Sequence, residues 1–447
     1  MHAHATPSRF APWRRTLGAG LIVALSAIAF AQDGAPPAAD ETPPAEPAAA
    51  VDEEVGWRLK PRDHDELGKL VADYYTAVAE SKGILAATEA LDKKMAAIAK
   101  REKLDTLLGL AADWERVLAL AKSFPANPQG KGRIRVQDFK GVWGDDIQYA
   151  VHGPKGYKNS EPVPLVIIVP DKDQKIEEII QRDWIEKGTG VEDEMILVCT
   201  KMPSSLDSWT STGEKGKPGG VDRILQVYKH ASREWNVDLE RVFLVGMEDG
   251  VAAVVRAAAL FPDRFAGVVG RSGDPKSAAI RNFSNLPLLL AAGSTNASAM
   301  ATAAEKLGWK HLETEPSAET VDIVNWMRTK SRSAHPKVVE LEPLEEVGKN
   351  AYWLRVEGFD VAKNPWVKGT IDRESNTVTI EGSGVSQVVL FFTDRLVDLD
   401  RPVKVVVGGV THEHRFERDL EFMLQRARSS GDPGRAYLAQ RPYDFPQ

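Results

Sequence analysis

The chain predicts an α/β fold: a doubly wound, mostly parallel sheet, an N-terminal helical hairpin and a small C-terminal antiparallel β domain. Three observations carry this. Short apolar, β-branched runs alternate with helical segments through the middle of the chain. Two helical stripes precede them. A series of short strands divided by Gly, Asn, Asp and Pro follows.

The middle, residues 130–340, holds PLVIIV (164–169), MILVCT (195–200), RVFLVG (241–246), FAGVVG (265–270) and LPLLLAA (286–292). Such near-continuous apolar runs are what strands buried on both faces require. Helical segments at 175–186, 220–235, 250–260 and 298–307 separate them, the rhythm of helices on both faces of a sheet. STGEKGKPGG (211–220) is a Gly/Lys-rich loop.

Before it, residues 55–125 read as helices. Leu67, Leu70, Val71, Tyr74, Tyr75 and Val78 recur at helical spacing, and Leu104, Leu107, Leu108, Ala111, Trp114, Val117 and Leu118 do so again. Each stripe needs a partner, so a two- or three-helix hairpin is expected, with the domain that follows as a candidate surface. After it, residues 345–430 form the small β domain and its C-terminal helix, and 431–447 a polar tail.

The N-terminus lies outside the fold. Arg14 and Arg15 precede LGAGLIVALSAIAFA, and Ala29-Phe30-Ala31 is a small-residue cleavage site. Residues 1–31 therefore read as a signal peptide cut near Ala31, which predicts a secreted or periplasmic protein without a membrane span in the mature chain. The arginine pair leaves general and twin-arginine export open. Residues 32–54 are Pro/Ala-rich and acidic, a disordered linker.

The 447 residues carry a net charge of −7, which argues against nucleic acid as a partner. Cys199 is the sole cysteine, so no intramolecular disulfide forms. No cofactor motif is present. Ligand and protein partner are not legible.

The chemistry should sit at Gly246-Met247-Glu248-Asp249-Gly250, where a strand meets a helix. That spacing is a nucleophile elbow: small residues let the turn close, and the helix N-terminus favours developing negative charge. Glu248 occupies the reacting position.

Here the chain resembles the α/β-hydrolase superfamily, in its secreted esterase and prolyl-oligopeptidase-like branch. GPKGYKNSEPVPLVIIV (153–169), WNVDLERVFLVG (235–246), FPDRFAGVV (261–269), NWMRTKSRSAHPKVVEL (325–341) and DRLVDLDRPVKVVVGG (394–409) carry the resemblance over roughly 140–430. It implies a serine at the position of Glu248 and an acid at that of Asn296. It implies an oxyanion loop at Val169-Pro170-Asp171, and a histidine in the loop 315–320. None is present: Pro170 has no N–H, Asn296 is an amide, and the loop has no histidine. Four altered elements predict a catalytically inactive scaffold or binding module, with Glu248 and Asn296 vestigial. Two alternatives stay open. One is an active hydrolase using Glu248, with His311 as fallback base. The other is a cell-envelope or carbohydrate binder with Trp353 and Trp366 stacking on sugars. Glu248, Asp249 and Asp171 are a candidate hard-cation set, and His412 with His414 a chelating pair, but neither is assigned a metal. Without catalytic duty, Glu248 is expected to relax its backbone or to cap the helix.

Overall fold

The computed structural model describes residues 56–276, 279–291, 294–315 and 319–446. The expected signal peptide, its expected cleavage site and the expected linker lie outside them.

Three helices come first: α1 (Pro61–Glu80), α2 (Ile84–Glu102) and α3 (Ala111–Leu120). Pro61 suits the first helical turn, where its missing N–H has no helical partner. Ser81 in the left-handed region closes α1, and Gly83 turns the chain into α2. A Cβ on Gly68 would lie 2.9 Å from Leu120 Cβ, so glycine is what lets α1 and α3 approach. Leu67, Val71, Trp114 and Val117 share one apolar core with Phe391, Met423 and Leu424 of the C-terminal region. Arg395 forks onto Glu115 at 3.0 and 2.6 Å. The helices thus close onto the far end of the chain, not onto the α/β layer that follows them in sequence.

The large sheet contains β1 (Arg135–Lys140), β2 (Asp146–His152), β3 (Val163–Val169), β4 (Ile196–Thr200), β5 (Val237–Met247), β6 (Gly267–Arg271), β7 (Leu288–Ala291) and β8 (Leu312–Glu315). Their order is β1-β2-β4-β3-β5-β6-β7-β8. The β1–β2 hairpin is antiparallel, β2 pairs antiparallel with β4, and every later pairing is parallel. Every residue of β4 is buried. Each buried Val, Leu or Ile contributes about 1.5–3 kcal/mol.

Helices cover both faces. They are α4 (Ile176–Asp183), the single turn α5 (Val191–Glu194), α6 (Gly220–Glu234), α7 (Gly250–Leu260), α8 (Thr295–Lys306) and α9 (Thr320–Arg328). α6, α7 and α8 share a core on one face, α4 and α9 on the other. All of α7 except Arg256 is buried, as an Ala/Val-rich helix pressed into a core should be. This is the doubly wound layer that the sequence predicts.

The C-terminal region is a two-sheet sandwich. Its strands are β9 (Val338–Leu341), β10 (Asn350–Ala351), β11 (Leu354–Phe359), β12 (Trp366–Asp372), β13 (Thr377–Ser383), β14 (Val385–Phe392), β15 (Val403–Val407), β16 (Val410–His414) and β17 (Ala439–Asp444), with α10 (Leu420–Ser430) before the last. One sheet runs β10-β11-β14-β17, the other β16-β15-β13-β12-β9. Two details differ from the sequence reading. β13 and β15 pair in parallel, because the chain crosses to the other sheet as β14 between them. The segment read as a tail contributes β17, which pairs with β14 alone; Pro442 is tolerated there because an edge strand leaves one side unbonded. Trp353 fills the sandwich, with its indole N–H donating to the Pro336 carbonyl at 2.7 Å.

Candidate functional site

The elbow forms where β5 ends. Glu248 has φ +44°, in the left-handed region, and its side chain is exposed. Its N–H donates to the Arg271 carbonyl at 3.1 Å, and its own carbonyl accepts from Val251 N at 3.1 Å. Three glycines clamp the turn. A Cβ on Gly246 would lie 2.6 Å from Val251 Cα, one on Gly250 2.4 Å from the Val169 carbonyl oxygen, and one on Gly273 2.2 Å from the Glu248 carbonyl oxygen. Glu248 therefore neither relaxes nor caps: the N-cap position of α7 is Asp249, and no side chain caps it. That corrects the sequence expectation. Packing dictates the strain; such a conformation costs about 1–3 kcal/mol. Ser272, across from it at the end of β6, also has positive φ, +59°.

The other expected positions gather at the same carboxyl edge. Pro170 and Asp171 follow β3, and the close approach of Gly250 to Val169 and Pro170 sets that turn against the elbow. Asn296 lies in the first turn of α8, where Ser294 caps by accepting from Ala297 N at 2.9 Å. Its amide donates to Asp274 Oδ1 at 2.8 Å, and the same oxygen accepts from Lys276 N at 2.6 Å. Asp274 is a carboxylate that sequence reading missed; Ser272-Gly273-Asp274 directly after a strand was the available signal. Beside the expected base loop, Thr320 Oγ1 accepts from Arg271 Nη1 at 3.3 Å, and Glu319 stands 3.8 Å from the same guanidinium.

The described histidines are held elsewhere. His311 precedes β8 at the amino edge of the sheet, and its carbonyl accepts from Leu288 N at the start of β7. Its Nε2 is 2.7 Å from the Phe283 carbonyl, its ring stacks on Trp309, and burial pushes its pKa down. The length of β8, about 13 Å at 3.3 Å per residue, separates it from the elbow's edge. That placement removes His311 as a base for Glu248. His152 pairs with Leu197 near the start of β4, at the same amino edge. His230 stacks on Phe139 and meets Tyr149 Oη at 2.9 Å. His64, in the first turn of α1, contacts Asp113 at 2.8 Å with both side chains buried. His335 meets the Tyr437 ring edge-on.

Among the described residues no group of His, Cys, Asp and Glu is arranged to hold a metal ion. His412 and His414 lie side by side against Tyr443 of β17. Trp353 is buried in the sandwich and offers no open stacking face, and the Arg281 guanidinium lies 4.6 Å from the centre of the half-buried Trp366 ring. Cys199 is buried, which raises its thiol pKa well above the ordinary range. No helix among the described residues is long and apolar enough to cross a membrane.

No family model and no curated protein matches the chain. Solved structures with some likeness include a thermostable esterase (16% identity, TM-score 0.38, 44% of this chain and 63% of that one). Others are the fluorophosphonate-binding serine hydrolase F of Staphylococcus aureus (14%, 0.36, 44% and 99%) and a ferulic acid esterase of Anaeromyces mucronatus (11%, 0.33, 44% and 90%). The chain thus spans less than two thirds of the thermostable esterase. Likeness at these scores carries no functional weight. The α/β-hydrolase fold stands on this chain's own strand order, its single antiparallel crossover partner β2, and the strand–elbow–helix at Glu248.

Proposed function

We propose that this is a secreted pseudo-hydrolase of the esterase and prolyl-oligopeptidase-like kind: a binding or scaffold module that keeps the elbow's shape without its chemistry. One observation supports this above the rest. Glu248 stands strained and exposed at the reacting position, and His311, His230 and His64 are held away from it by their own partners. A carboxylate nucleophile forms an ester that a base-activated water must then hydrolyse, and among the described residues no histidine stands at that edge to activate it. The facing loop adds to this, since Pro170 offers no N–H to an oxyanion and Asp171 would repel one.

The alternative, a carboxylate nucleophile, has the retained elbow strain in its favour. Intact-mass analysis after incubation with chromogenic esters, alkyl halides and epoxides separates the two. The pseudo-hydrolase gains no covalent mass. An adduct mapped to Glu248 would overturn the proposal.

A further inference from the structure

Away from the elbow, at the amino edge of the sheet, lies a concavity of about 820 Å3. Its walls come from three parts of the chain: the residues that follow α3, the C-terminal half of α6 with Phe261 and Arg264, and the end of α10. Five cationic side chains line it, namely Lys122, Lys229, Arg233, Arg264 and Arg428, and no acidic side chain does. In a chain with net charge −7 that segregation is not a compositional accident of a basic protein.

The cations are also uncommitted. Lys229, Arg233, Arg264 and Arg428 make no side-chain hydrogen bond or ion pair among the described residues. Lys122 donates only to the Gly431 carbonyl, and burial lowers its pKa. Arg264 Nε and Ser232 Oγ are buried without a hydrogen-bond partner. Arg264 rests 5.8 Å from the Phe261 ring, which orients its guanidinium. Asp432, whose charge reaches Lys122, is already bound to Arg332 and Arg435. Like charges gathered in a concavity without a counter-charge repel one another, and an anion relieves this. Leu225, Tyr228 and Phe261 give the pocket an apolar wall beside the charges. Its volume is that of a small-molecule site, set where separate parts of a chain meet.

We propose that this pocket binds a small organic polyanion: a molecule with at least two phosphate or carboxylate groups and an apolar body. Arginine forks pair with either oxyanion in bidentate fashion, and lysines add point charge. Because the walls belong to three chain regions, the ligand also fastens the N-terminal helices and α10 to the α/β layer. The site is independent of what the elbow does.

Titration calorimetry on the full chain at low salt tests this, with ADP, benzenetricarboxylate, pyrophosphate and neutral adenosine as probes. ADP or benzenetricarboxylate should bind, adenosine should not, and affinity should fall as salt rises. The double substitution Arg233→Gln/Arg428→Gln removes two exposed, unpartnered charges and should leave thermal unfolding of the free protein unchanged while weakening binding at least about tenfold. Should that variant fail to fold, Lys229→Gln gives the same readout at one charge. Absence of binding by every anion at about 1 mM, or binding that the folded variants leave unaltered, overturns the proposal.

Discussion

Arg332 and Asp432, a hundred residues apart, meet at 2.8 Å with both side chains buried. Arg332 also donates to the Asp263 carbonyl at 2.6 Å, and Arg435 pairs with the Asp263 carboxylate at 2.7 Å. That carboxylate accepts from Tyr352 N at 3.1 Å. The turn after α7, the segment after α9, the β10–β11 turn and the turn after α10 are thus joined by one buried ionic cluster.

Breaking this cluster on one side leaves an uncompensated buried charge. Asp432→Asn and Arg332→Met should each cost about 3–5 kcal/mol in denaturant unfolding. The pair Arg332→Met/Asp432→Asn should cost clearly less than the sum of the two, since no orphan charge remains between them.

The same region should make the protein acid-sensitive. Burial, with Arg395 and Arg332 nearby, pushes the His335 imidazole down to about 3 from 6.5. The folded state therefore holds it neutral while the unfolded chain takes up a proton below 6.5. Stability is whole above 6.5 and falls as pH drops toward 3, by at most about 1.4 kcal/mol per pH unit. Burial alone would raise the Asp432 carboxyl, but Arg332 and Arg435 outweigh it and hold it well below the usual range. Its contribution is likewise present above the ordinary carboxylate pKa and lost as pH falls. In unfolding curves, His335→Gln should flatten the slope just below pH 6.5 and leave the steeper acid limb.

Strain at the elbow is measurable. Glu248→Gly removes the cost of φ +44° against the greater freedom of an unfolded glycine, so the variant should gain about 1 kcal/mol. Glu248→Val, with a branched Cβ in the left-handed region, should lose stability. A working nucleophile would show activity loss in both variants.

Gly250 binds that turn to the loop after β3. Gly250→Ala sets a Cβ 2.4 Å from the Val169 carbonyl oxygen, a backbone atom with nowhere to move. The variant should be destabilised by at least about 2 kcal/mol, read as a lower midpoint in chemical unfolding.

The α/β layer was legible because its strands are buried on both faces and spell out their own burial, as in PLVIIV and MILVCT. The elbow was legible because glycines mark close backbone approaches. The partner of the N-terminal helices was not, since Leu67 and Val71 meet residues more than three hundred positions later and periodicity says nothing about partners. β17 was hidden by Pro442 and polar neighbours, which an edge strand accepts. At the site, the sequence set Glu248 and Asn296 at one edge but missed Asp274. It offered His311 because a short strand does not announce which end lies near the chemistry. It also tied the elbow's strain to catalysis, whereas Gly246, Gly250 and Gly273 impose it through packing. The cationic pocket was invisible, because its five charges come from segments far apart in the chain.

The most direct measurement is kcat/KM for a panel of short-chain chromogenic esters and peptide anilides, run on the purified protein beside Glu248→Ala. An elbow that has kept its shape and lost its chemistry gives the same background rate for both. Turnover well above background that Glu248→Ala abolishes would contradict this and make the glutamate a working nucleophile.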